Sequence, residues 1–146
     1  PRTGGTPTAL SAPGGDCRQP NWSPAGDLIL YQTMVAGRWE IWVMETNGNN
    51  PRQVTTGSGD KTDASFSPDG LWIVYSGEVP EEDGANLFIV SVAGGTGVRL
   101  TEYGGYDGAP SWSPDGTLIA FESYPGDPND SRGTSLWVID VPLAYR

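Results

Sequence analysis

Apolar residues in this chain gather in short runs separated by turn formers, and none recurs at a sustained helical spacing. Two kinds of run repeat. The first reads Leu28-Ile29-Leu30-Tyr31, Trp72-Ile73-Val74-Tyr75 and Leu118-Ile119-Ala120-Phe121. The second reads Ile41-Trp42-Val43-Met44, Leu87-Phe88-Ile89-Val90 and Leu136-Trp137-Val138-Ile139. β-branched and aromatic side chains dominate both, as expected of strands. The chain is predicted to be all-β.

Each pair of runs follows one anchor: Trp22-Ser23-Pro24, Phe66-Ser67-Pro68 and Trp112-Ser113-Pro114, spaced 44 and then 46 residues apart. Eleven residues before each anchor aromatic stands a hydroxyl behind an apolar residue, in Leu10-Ser11, Val54-Thr55 and Leu100-Thr101. A repeat of this length is one supersecondary unit that buries its faces against its neighbours. After the anchor, Ser67-Pro68-Asp69-Gly70 and Ser113-Pro114-Asp115-Gly116 spell a type I turn, with Pro fixing φ and Gly closing it. The first copy reads Ser23-Pro24-Ala25-Gly26 with Asp27 after it, so these aspartates are expected to be turn formers and the anchor aromatics core. All variation in repeat length falls between the second and third strands, where binding differences usually reside.

Composition sharpens this picture. The 146 residues include Gly 21 and Pro 13 but also Trp 6, Tyr 6 and Phe 3, which favours many short strands over disorder. The net charge of −10 argues against nucleic acid and anionic membranes and for a cation or a basic partner. No apolar run is long enough to insert in a membrane. With no histidine and no Gly-x-Ser-x-Gly elbow, a Ser-His-Asp triad cannot be built, and the single Cys17 forms no intrachain disulfide. The chain opens on Pro1 without a methionine, so a processed, excised or incompletely known chain is expected, with any signal peptide already gone.

Four strands per repeat is the signature of a β-propeller blade. Pro110-Ser111-Trp112-Ser113-Pro114-Asp115-Gly116, followed by Ile119-Ala120-Phe121, resembles the WD40-like (PD40) repeat of TolB-type propellers. Leu136-Trp137-Val138-Ile139-Asp140 and Gly94-Gly95-Thr96-Gly97-Val98-Arg99-Leu100-Thr101 resemble that family's later strands. The resemblance implies an extracytoplasmic protein- or peptide-binding module. The chain is read as a single unit over 1–146, with repeats at about 12–55, 56–101 and 102–146. Residues 4–11 match the outer, fourth strand of a blade, so they are expected to complete the last blade. Three blades cannot close a ring, which needs at least about four. The expectation is strand exchange through 4–11 between two chains in a six-bladed homodimer. The alternatives are a fragment of a longer propeller, including the propeller domain of a peptidase or glycosidase with catalysis elsewhere, and an open extracellular filament.

In a propeller the fourth-to-first-strand connections and the second-to-third-strand loops share one face. Asp16, Asp60, Asp63, Glu102 and Asp107 fall in or beside the former; Glu78, Glu81, Glu82, Asp83, Glu122, Asp127 and Asp130 fall in or beside the latter. Such an acidic rim suits a cationic partner segment or a metal ion. No catalytic residue and no obligatory cofactor is assigned. For Ca2+, Asp127, Asn129 and Ser131 alternate as in a calcium loop but lack its sixth-position glycine and twelfth-position acid. An ion shared at a channel mouth by Asp16, Asp60 or Asp107 is the other metal candidate.

Overall fold

The computed structural model describes residues 4–12, 14–82, 84–102, 105–124 and 133–146. Each repeat folds as an antiparallel meander: β1 (Cys17–Trp22), β2 (Leu28–Val35), β3 (Arg38–Glu45) and β4 (Arg52–Gln53); β5 (Lys61–Phe66), β6 (Trp72–Glu78), β7 (Ala85–Ser91) and β8 (Val98–Arg99); then β9 (Tyr106–Trp112), β10 (Leu118–Tyr124) and β11 (Ser135–Asp140). A 3-10 turn at Leu143–Tyr145 is the only helical element among the described residues. The second and third meanders join through one parallel bridge, Ala85 to Tyr106. Two sheets result, β1-β2-β3-β4 and β11-β10-β9-β7-β6-β5 with β8 paired to β7, and they do not close on each other.

The Ser-Pro-x-Gly turns form as their sequence dictates. Gly26, Gly70 and Gly116 donate N–H bonds to Ser23, Ser67 and Ser113 carbonyls at 2.9 Å each, with φ of 73°, 73° and 72°, a region glycine enters without strain. Ser67 and Ser113 hydroxyls donate to Asp69 and Asp115 at 2.5 and 2.6 Å. In the first repeat Ser23 donates instead to Asp27 at 2.7 Å. The aspartates are thus turn formers, and Asp27 replaces the one that Ala25 lacks.

Packing between repeats supplies the core. Leu30, Ile41, Val43 and Val54 of the first repeat interlock with Phe66, Ile73, Tyr75 and Val90 of the second. Val74 and Leu87 on the second repeat's other side meet Ile119, Phe121 and Val141 of the third. The second repeat is therefore covered on both faces, and from Ile73 to Gly77 β6 is buried without interruption. The strand β10 instead alternates strictly, burying Ile119, Phe121 and Ser123. One sequence pattern gives two burial patterns because only one of these strands lies between neighbours.

One expectation is corrected by that arrangement. Trp22 is 62% exposed, whereas Phe66 is 5% exposed, because no repeat packs on the face of β1 that carries Trp22. Within the single chain residues 4–11 form no strand, and Leu10 packs beside Ile29, Tyr31 and Met44, which lie on the open side of the first repeat.

Candidate functional site

At the end of the meanders where β4 leads into β5 and β6 into β7, a cavity of about 470 Å³ is lined by Asp60, Glu78 and Glu82 together with Thr62, Ser76, Tyr106 and Tyr124. The backbone of the β4–β5 connection is tied to the end of β6: Glu78 N–H donates to the Asp60 carbonyl at 2.9 Å, and Asp60 N–H donates to Glu78 Oε2 at 3.0 Å. Asp60 also accepts from Trp39 N–H at 2.9 Å, which fixes its carboxylate at the cleft. The two loop classes that sequence reasoning placed on one face do meet here. Among the described residues no lysine or arginine lines the cleft. Tyr106 and Tyr124 stack across its wall with centroids 5.8 Å apart and planes 27° apart.

Behind the cleft the first strands of the three repeats are tied together by one aspartate. Asp63 accepts from the Gln19 amide and, at 2.8 Å, from the Tyr106 hydroxyl, and its own N–H donates to Gln19 Oε1 at 3.0 Å. Burial first, and then the bond to Asp63, hold the Tyr106 phenol above its ordinary range, so it stays a donor. Gln19, Asp63 and Ala109 each stand three residues before their anchor and have φ of 50°, 55° and 47°. Left-handed backbone in non-glycine residues marks a strained position, here a bulge that turns the Gln19 and Asp63 side chains toward the neighbouring repeats.

The other acids expected at this face have varied placements. Asp16 is exposed and paired with Arg18 at 2.9 Å, and the Arg18 guanidinium lies 4.7 Å from the Trp39 ring centroid. Glu81, Glu102 and Glu122 are exposed. Glu82 is clamped by both terminal nitrogens of Arg99 at 2.8 and 2.7 Å, a bidentate bond that lowers its carboxyl pKa. Asp107 departs from the expectation of a surface residue: it is 1% exposed, inside the boundary between the second and third repeats. Asp83, Asp127, Asn129, Asp130 and Ser131 lie outside the described residues. Asp16, Asp60 and Asp107 do not converge, and no cluster of three or more Asp, Glu, Cys or His suited to a metal exists among the described residues.

Sequence reasoning missed Tyr106 and Tyr124, and it missed the ion pair of Glu40 and Lys61, whose side chains are 5% and 7% exposed. Lys61 Nζ donates to Glu40 Oε1 at 3.2 Å and to the Ser58 and Gly59 carbonyls at 2.9 and 2.8 Å, while the Thr55 hydroxyl donates to Glu40 Oε2 at 2.6 Å. Aligning the repeats position by position would have set Lys61 against Cys17 and Asp107 and shown the polarity change.

No family model matches the chain. It is 29% identical to an uncharacterized protein of Agrobacterium fabrum, covering 87% of this chain and 42% of that protein. It is 32% identical to the uncharacterized peptidase YuxL of Bacillus subtilis, over 68% of this chain and 16% of that one. The Tol-Pal system protein TolB of Desulfosudis oleivorans is 34% identical over 68% of this chain and 22% of its own length. The chain thus spans less than half the length of each of these relatives. Among solved structures, a protein of Agrobacterium tumefaciens designated TolB superposes with a TM-score of 0.79 at 25% identity, over 94% of this chain and 50% of that one. TolB of Acinetobacter baumannii gives 0.70 at 24% identity, over 83% and 29%.

Proposed function

We propose, for a chain that belongs to the TolB-type WD40-like repeat family of β-propellers, a non-catalytic protein-binding role outside the cytoplasm in which the acidic cleft receives a basic peptide segment. The observation that carries this reading is the cleft itself: Asp60 and Glu78 line it beside the Arg99-bound Glu82, no base among the described residues does, and two stacked tyrosines wall it. Such a surface attracts a lysine or arginine side chain by charge and offers aromatic faces for cation–π contact. Among the described residues no helix is long and apolar enough to cross a membrane.

Fluorescence anisotropy with a basic and an acidic unstructured peptide, at low and high salt, tests the reading. The basic peptide is expected to bind more tightly, to weaken with salt and to lose about fivefold in affinity with Asp60→Asn/Glu78→Gln, since exposed pairs contribute about 0.2–1 kcal/mol each. Equal binding of both peptides, or no effect of the double substitution, overturns it. A second reading, the propeller domain of a larger hydrolase, is supported by the likeness to the Bacillus subtilis peptidase. A hydrolase segment continuing the same reading frame would favour it.

A further inference from the structure

At the third repeat, β11 holds the outermost place of its sheet, and among the described residues no fourth strand pairs with it. Hairpin register makes Leu136 and Val138 the counterparts of Ile41 and Val43 in β3 and of Leu87 and Ile89 in β7. Those four are at most 1% exposed, whereas Leu136 is 85% and Val138 67% exposed. Two residues apart on a strand, they share one face of the sheet beside an unpaired edge.

The first repeat shows the converse, an outer strand's residues without the repeat they would complete. Counted from the anchors, Leu10 is the counterpart of Val54 and Leu100. It packs beside Ile29, Tyr31 and Met44, as Val54 clusters with Ile73, Tyr75 and Val90. The backbones follow suit: a side-chain carbon on Gly48 would stand 2.7 Å from the Leu10 carbonyl, and one on its counterpart Gly94 3.3 Å from the Val54 carbonyl. Residues 8–11 thus lie against the first repeat as the outer strand of a preceding repeat would. Val54 N–H donates to the Ile41 carbonyl at 2.8 Å, and Ile41 N–H donates to Thr55 Oγ1 at 2.9 Å. Leu100 and Thr101 hold Leu87 in the same way, at 2.7 and 2.9 Å. Among the described residues none takes that place beside Leu10 and Ser11.

We propose that a second copy of the chain fills both gaps, its Leu136 pairing with Leu10 and Ser11 and its third repeat packing on the first. Trp22 is then covered by Leu136 and Val138 as Phe66 is by Ile41 and Val43. The polar end of this contact carries no charge. Cys17 holds the place of Lys61 and Asp107, and Ser135 that of Glu40 and Asn86, so no unanswered charge is buried. Two copies make six repeats, the one multiple of three among the roughly four to eight blades of most propellers. Each copy gives its first repeat to one contact and its third to the other, so the pair closes on itself. This pairing is separate from the acidic cleft and from any peptide bound there.

Sedimentation velocity of the full chain at micromolar concentration is the primary test. A particle of twice the chain mass is expected. Leu136→Lys/Val138→Lys, which alters side chains exposed in the single chain, is expected to halve that mass. A monomeric parent overturns the proposal, as do a dimer that survives the double substitution and particles that keep growing with concentration. Should the double variant fail to fold, disulfide crosslinking decides. Arg52 stands opposite Val43 and Val98 opposite Ile89, which sets Thr8 opposite Val138 of the second copy, within reach of a disulfide. Thr8→Cys and Val138→Cys chains, each also carrying Cys17→Ser, are mixed and oxidised. A covalent heterodimer is expected in the mixture, well above the covalent dimer from either variant alone. A yield no greater than that of the separate variants overturns the proposal.

Discussion

The boundary between the first and second repeats and the boundary between the second and third are built on one plan and finished differently. Ile73 and Tyr75 interlock with Leu30, Ile41 and Val43 at the first; Ile119 and Phe121 interlock with Val74 and Leu87 at the second. Thr55 and Thr101 both accept a backbone N–H at 2.9 Å, from Ile41 and Leu87 respectively. Beside those threonines the likeness ends: the first boundary holds a neutralised pair, Glu40 with Lys61, and the second holds Asn86 with an unpartnered Asp107. The apolar layer is interchangeable between repeats because dispersion and burial are nondirectional. The polar end is particular to each boundary because a buried charge must be answered one partner at a time. The Tyr75 phenol registers that local charge, being pushed up to about 12 by burial first and then by Glu40.

The largest effect separating the two boundaries is expected from Lys61→Met. It leaves Glu40 buried with only the Thr55 hydroxyl beside it, and breaking a buried pair from one side costs about 3–5 kcal/mol. Glu40→Gln in the same chain should restore most of the loss, since the uncompensated charge is then gone. Urea denaturation followed by tryptophan fluorescence measures both. A small loss in the single variant, or no recovery in the double, would show that the pair does not hold the first boundary.

A smaller contrast lies in the turns at the opposite end of the meanders. Ser67 is 1% exposed, and its hydroxyl both donates to Asp69 at 2.5 Å and accepts from Trp72 N–H at 2.9 Å. Ser67→Ala is expected to cost about 1–2 kcal/mol, because it leaves a buried N–H without its acceptor. The half-buried Ser113 makes the same bonds nearer to water, and Ser113→Ala should cost less, about 0.5–1 kcal/mol. Denaturation midpoints of the two variants test the order; equal losses would mean that burial does not set the value of this turn.

The sequence made the strands and turns legible because both depend on local chemistry. Ile41-Trp42-Val43-Met44 lies within β3, and the prolines and glycines fix the turns directly. Burial of Trp22 was not legible, because three equivalent anchors differ only in whether another repeat lies against them, and that is a tertiary fact. Asp107 was misplaced for a different reason. A charged residue near a connection reads as a loop residue, but Asp107 is the second residue of β9 and faces inward. The cleft was half legible: the convergence of Asp60 with Glu78 followed from the order of strands in a repeat. Its tyrosine wall did not, because it depends on the bulges at Asp63 and Ala109, whose positive φ no residue type at those positions announces.

The smallest effect expected is one of pH, and it again opposes two repeats. Hydrogen bonds from the Ser113 hydroxyl, then from the Thr117 backbone and side chain, lower the Asp115 carboxyl from 3.8 to about 2. A carboxyl whose folded pKa is depressed contributes stability that is present in full above its unfolded value and disappears as pH falls through its folded value. The turn of the third repeat should therefore be at full strength at pH 5, weaken below about pH 3.8 and lose the contribution near pH 2. Denaturation midpoints of the parent chain and Asp115→Asn should differ at pH 5 and approach each other across that window. Asp115 is fully exposed, so the difference is a small one. The first repeat offers the converse, since its Ser23 hydroxyl already donates to Asp27. Ala25→Asp would set two carboxylates to compete for one donor and should gain little at any pH. A pH-independent difference between the parent chain and Asp115→Asn would mean that Asp115 shapes its turn by conformation and not by charge.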